Sequence, residues 1–112
     1  MKPPSELIPP LSVGWTTTES REQAEKLATL CVEQKKVACA QISGPIHSIY
    51  FWKGEAQKDQ EWRLTLKFPT SRTADVTAFL KTHHPYEVPQ WMVVDALFAG
   101  PEYAQWAGEQ TE

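Results

Sequence analysis

Trp62, Leu64, Leu66 and Phe68 alternate with Glu61, Arg63, Thr65 and Lys67. This strict period of two predicts a strand with one apolar and one polar face. Such a strand needs a layer over its apolar side, and the flanking sequence supplies candidates. Leu11 to Thr17 also alternates and reads as a first strand. Ser20-Arg21-Glu22-Gln23 fits a capping box, in which hydroxyl and amide each satisfy an orphan backbone donor. Ala24, Leu27, Ala28, Cys31 and Val32 then recur at helical spacing as one apolar stripe, opposed by Arg21, Glu22, Glu25, Lys26, Glu33 and Lys36.

From Val37 to Trp52 the pattern is again β-like. Ser43-Gly44-Pro45 interrupts it as a bend or bulge. Ile46, Ser48, Tyr50 and Trp52 share one face; His47, Ile49, Phe51 and Lys53 share the other. Gly54 to Asp59 reads as a polar turn closing a hairpin. Pro69-Thr70-Ser71 opens a second helix whose apolar side is Val76, Phe79, Leu80 and His83, and Pro85 ends it. Gln90 to Phe98 reads as the last main strand. Gly100-Pro101 starts a short helix carrying Tyr103 and Trp106 on one side. The tail from Gly108 to Glu112 is expected to fray.

The order β-α-β-β-α-β-α predicts an α+β fold. Its first six elements match the ferredoxin-like βαββαβ arrangement, an antiparallel four-stranded sheet with two helices on one face, here with an extra C-terminal helix. Two helices cannot cover both faces, so the second face calls for a partner and predicts a homo-oligomer. Trp15, Trp52, Trp62, Trp91 and Trp106 are too many rings for one small core, which places some at an interface or cleft. One domain fits 112 residues: a disordered arm over residues 1–10, then a single unit over 11–112.

Composition excludes some functions. A net charge of −3 argues against nucleic acid as the main partner. No apolar run is long enough to cross a membrane as a helix, and the proline-rich start lacks the apolar core of a secretory signal. Cys31 and Cys39, eight apart, lack metal or redox spacing and favour the reducing cytoplasm. Cys31 lies on the helix stripe as a small core residue.

Two segments mix rings, charges and stiff backbone, and these are where function is expected: Ser48-Ile49-Tyr50-Phe51-Trp52-Lys53-Gly54 and His84-Pro85-Tyr86-Glu87-Val88-Pro89. Pro85 and Pro89 fix φ and bias His84 and Val88 towards extended backbone, so Tyr86 and Glu87 are presented in a fixed direction. His83 and His84 are adjacent and would point about 100° apart on a helix. The plain reading puts His83 on the apolar side and His84 over the last carbonyls. No nucleophile elbow or Gly-rich loop occurs, so no enzyme is expected. Lys53 and Lys67 can sit near one mouth of the hairpin with Tyr50, Trp52 and Glu61, as a cleft for a small anion or heterocycle; the alternative is a solvated strand face beside interface rings.

Those two segments, with Val37-Ala38-Cys39, Glu61, Leu66-Lys67, Gly100, Tyr103 and Trp106, follow the order seen in the CutA family of divalent-cation-tolerance proteins. The resemblance spans about Leu11 to Ala107. It implies a homotrimer similar in architecture to the PII signalling proteins, a cytoplasmic or organellar setting, and a link to tolerance of copper and other divalent cations without an established enzymatic activity. Cu2+ or another divalent cation is the implied ligand. The family's copper-binding positions correspond here to Thr16, His83 and Gln90, of which only His83 is a competent donor, since hydroxyl and amide oxygens suit copper or zinc poorly. Cys39 matches a family position and reads as packing. The matching polar set, Tyr50, Trp52, Lys53, Glu61, Lys67, His84, Tyr86 and Glu87, is expected to line a pocket between subunits. The rival expectation is a PII-like sensor that takes a small anionic metabolite or nucleotide in those clefts.

Overall fold

The computed structural model describes residues 8–112. Strand β1 runs Leu11–Thr18, helix α1 Arg21–Glu33, strand β2 Cys39–Trp52 and strand β3 Glu55–Pro69. A 3-10 turn, Thr70–Arg72, leads into helix α2, Thr73–His83; strand β4, Met92–Asp95, and helix α3, Pro101–Gln110, complete the chain. The sheet order is β2-β3-β1-β4, every neighbouring pair antiparallel. This is the split βαβ order expected from the alternating periods.

The register explains the core. Leu64, Leu66 and Phe68 pair with Thr16, Gly14 and Ser12 and share one face of the sheet. All three are fully buried, together with Ala24, Leu27, Ala28 and Cys31 of α1 and Val76 and Leu80 of α2. Burying each large side chain contributes about 1.5–3 kcal/mol. Burial also pushes the Cys31 thiol up to about 11, so it stays protonated in the core. Val32 departs from the expected stripe and lies 42% exposed. At the start of α1 the Ser20 hydroxyl accepts the Gln23 N–H at 3.1 Å. The Gln23 amide oxygen reaches back to the Glu19 N–H, one residue before the expected donor.

Trp91 closes this layer. Its ring stacks on Phe68, with centroids 6.4 Å apart, and its indole N–H donates to Thr77 at 2.9 Å. The ring passes over Gly14, where a Cβ would sit 2.3 Å from it.

Four expectations need correction. The hairpin turn is only Lys53 and Gly54, both at positive φ (52° and 80°), between the paired Trp52 and Glu55. A two-residue turn of that hand matches strand twist, so Glu55 to Asp59 continue the strand and do not form the turn. Strand β4 has four residues in place of the expected run from Gln90 to Phe98; Leu97 and Phe98 lie beyond it, fully and largely exposed. The tail does not fray at Gly108: α3 continues to Gln110, and Thr111 is buried, its hydroxyl donating to the Ala107 carbonyl at 3.0 Å. Lastly, α3 covers part of the second sheet face, packing Ala104 and Ala107 on Leu11 and Ala38.

The interruption at Ser43-Gly44-Pro45 is present as a register shift between Ser43 and Ile46. The arm expected over residues 1–10 falls outside the described residues for its first seven. Pro9 lies against Gly108, and the Pro10 carbonyl accepts the Thr70 N–H at 2.8 Å. Among the described residues no helix is long and apolar enough to cross a membrane.

Candidate functional site

Strand β1 stops at Thr18, opposite Trp62. Beyond it β2 and β3 continue as a two-stranded ribbon, and Glu61 is the first β3 residue past the end of β1. The segment after α2 turns into that space. Pro85 biases its predecessor away from helix, and His84 takes φ −71°, ψ 138°. Its N–H still donates to the Leu80 carbonyl at 2.7 Å, while its ring turns inward to 9% exposure.

The imidazole is held on both sides. Nδ1 accepts the Tyr86 backbone N–H at 3.0 Å. Nε2 lies 2.9 Å from the Thr16 hydroxyl and 3.0 Å from the Thr17 carbonyl. Burial lowers the proton affinity of this ring, against the opposing pull of the Thr17 carbonyl and the Glu61 charge. Tyr86 packs on the imidazole at 5.0 Å between centroids and donates its hydroxyl to Glu61 Oε2 at 2.9 Å. Burial first, and then the Glu61 carboxylate, raise the Tyr86 phenol well above its ordinary value. Tyr50, on the ribbon face shared with Glu61, donates to Asp59, which holds its phenol protonated. Glu61 is itself only 9% exposed.

The expected set is thus brought together in part. Glu61, His84 and Tyr86 form one connected cluster, with Tyr50 near its edge. Trp52 and Lys53 sit at the ribbon tip, both exposed, and Glu87 is exposed on the loop. Lys53 and Lys67 do not share a mouth: Lys67 pairs with Cys39 and Val13 at the other end of β3. Six residues of strand separate it from Glu61, about 20 Å. There its ammonium stands 6.0 Å from the Tyr103 ring centroid. Burial and the neighbouring Cys39 thiol raise the Tyr103 phenol.

The burial of the two histidines is the reverse of the expected one. His84 is the buried one; His83 is exposed and tilts against Phe79 at 4.3 Å. Thr16 therefore meets His84 and not His83, and Gln90 is exposed. Among the described residues no three His, Cys, Asp or Glu side chains converge as a metal-binding group. The donors of a single copy do not fit a copper centre at Thr16, His83 and Gln90.

Sequence reasoning missed Thr17 and Asp59 and weighed Thr16 only as a ligand position. A signal existed: Thr16, Thr17 and Thr18 form a run of hydroxyls at a strand end, all buried.

A family model described as CutA1 divalent ion tolerance protein matches residues 12–110. The probable divalent-cation tolerance protein cutA homolog of Encephalitozoon cuniculi is 38% identical over 90 residues, covering 80% of this chain and 78% of that protein. Protein CutA of Mus musculus is 30% identical over 102 residues, covering 91% of this chain and 58% of that protein. The chain spans 57% to 66% of the length of the animal and plant relatives it matches first. The solved divalent cation tolerance protein of Thermus thermophilus superposes with a TM-score of 0.86 at 33% identity, covering 91% of this chain and 99% of that one. By the extent of the family match and these identities, the chain belongs to the CutA1 divalent ion tolerance protein family.

Proposed function

We propose that the chain acts as a homotrimer in the response to divalent cations, copper among them, by binding and regulation and not by catalysis. The observation that carries this reading is the buried Glu61 carboxylate under the Tyr86 hydroxyl, at the root of a ribbon lined with exposed rings. A carboxylate at 9% exposure costs desolvation, and a cation or a ligand donor arriving from outside offsets that cost. Lys67 joins Glu61 in one pocket only when it comes from a neighbouring copy, since the two lie about 20 Å apart along one strand. Glu87, exposed on the same loop as Tyr86, offers a second carboxylate to a cation in this reading. The two free thiols, Cys31 and Cys39, support a cytoplasmic setting.

A second reading, a PII-like sensor of a small anionic metabolite or nucleotide, draws on Lys67 beside the Tyr103 ring and on Lys53 at the ribbon tip. Thermal shift separates the two. A ligand at a hundredfold excess over its Kd raises stability by about 2.7 kcal/mol. Cu2+ and Zn2+ are expected to raise Tm in the wild type and to lose most of that effect in Glu61→Gln. A response to nucleotides and anionic metabolites alone, lost in Lys67→Ala, selects the sensor. If both substitutions leave assembly and every response unchanged, the pocket is wrong.

A further inference from the structure

The imidazole of His84 has neighbours that fix where its proton sits. Nδ1 receives a backbone N–H from Tyr86, and that donor has no second role to play: a peptide nitrogen offers a proton and no lone pair. Nδ1 must therefore carry the lone pair. The proton of the neutral ring is then on Nε2, which faces two oxygens, the Thr16 hydroxyl at 2.9 Å and the Thr17 carbonyl at 3.0 Å. The tautomer follows from the hydrogen-bond network alone. Thr16 is fully buried, and its hydroxyl accepts from this ring.

We infer that Thr16 and His84 are positioning residues, a single-tautomer clamp that ties the end of β1 to the Tyr86 backbone and so holds the Tyr86 hydroxyl on Glu61. The clamp has three links in series, made by four contacts of 2.9 to 3.0 Å: Thr16 and Thr17 side by side on His84, then His84 to the Tyr86 N–H, then Tyr86 to Glu61. Packing supports the same path, because the Tyr86 ring lies tilted on the imidazole. One consequence is chemical. Both nitrogens of His84 are engaged, so this ring offers no lone pair to a metal while the clamp is closed, and the threonine at position 16 serves as a hydrogen-bond acceptor.

The effect of the clamp on ligand binding rests on the pocket reading; the clamp itself does not, and it is tested without ligand. Nitrogen-15 correlation spectra of the histidine rings are expected to show His84 as the neutral Nε2–H form with an accepting Nδ1. An Nδ1–H form, or a fast-exchanging mixture, overturns the proposal. Positioning is read from a double-mutant cycle between Thr16→Val and Glu61→Gln, two sites joined by side-chain contacts through His84 and Tyr86. The clamp predicts that the Tm loss of the double variant is clearly smaller than the sum of the single losses. Thr16→Ser is expected to restore the wild-type ring spectrum and Tm. Additive losses, or a serine variant no better than valine, overturn it. If valine disturbs folding, Thr16→Ala takes its place in the cycle with the same two outcomes. A metal response that Glu61→Gln leaves unchanged, with the His84 ring form and the coupling as the clamp requires, removes the pocket reading alone.

Discussion

At the scale of single residues, small local features decide what the larger pattern can build. Gly14 is one. It lies on β1 in register with Leu66 and Val93, and its missing side chain leaves the space in which the Trp91 ring lies over the sheet. A methyl group at 2.3 Å from that ring cannot be accommodated unless the indole shifts, and the indole is held by Phe68 and by its bond to Thr77. Overpacking of this kind costs about 1–3 kcal/mol. Gly14→Ala is therefore expected to lower the denaturant midpoint with an unchanged slope; a variant of wild-type stability would mean that Trp91 is free to move. Nothing in the sequence announces this pairing, because the two residues are 77 positions apart and a glycine in an alternating run carries no pattern. His83 and His84 make the same point. Helical spacing placed His83 on the apolar side, but Pro85 ends the helix one residue early enough to turn His84 inward instead.

At the scale of elements, the periods of two and 3.6 were sufficient for order, and hydrogen bonding set the ends. Both long helices and β1 lie where the patterns put them. The ends that moved did so for identifiable reasons: the two-residue turn lengthened β3, and packing of α3 on Leu11 and Ala38 ordered the tail. The candidate site was legible as residue types and not as geometry. His84, Tyr86 and Glu61 were singled out, whereas the separation of Lys67 from Glu61 follows from register, which an isolated strand pattern does not give. Among the described residues no helix lies over the ribbon formed by Ile46–Trp52 and Glu55–Glu61: Ile49 and Phe51 are 74% and 78% exposed on one face, Tyr50 and Trp52 about half exposed on the other. Isolated two-stranded ribbons are marginal in water. Replacing Ile49 and Phe51 together by serine is expected to leave the circular dichroism of the folded chain intact while shifting sedimentation from the proposed trimer towards 12.7 kDa. An unchanged sedimentation profile would show that this face is not used in assembly.

At the scale of the whole molecule, the ribbon and the second sheet face pose one physical problem. The chain extends 56 Å along its long axis and 22 to 26 Å across, so much of its length lies outside the two-layer body. Met92 and Val94 of β4, Leu97, Phe98, Tyr103 and Trp106 add apolar surface on the same molecule. A monomer of this size has few buried residues with which to offset the entropy of ordering such a ribbon. If sister copies supply the missing layer, folding and association are one equilibrium, and mass action links stability to concentration. The unfolding midpoint is then expected to rise steadily as the chain is taken from low to high micromolar concentration, alongside a species near 38 kDa, three times the chain mass of 12.7 kDa. The two measurements check each other. A concentration-independent midpoint with a large particle would mean that the copies dissociate only after unfolding has been committed within each. A concentration-independent midpoint with a 12.7 kDa particle would mean that the ribbon stands alone, and the pocket would then have to be completed without Lys67 of a neighbour.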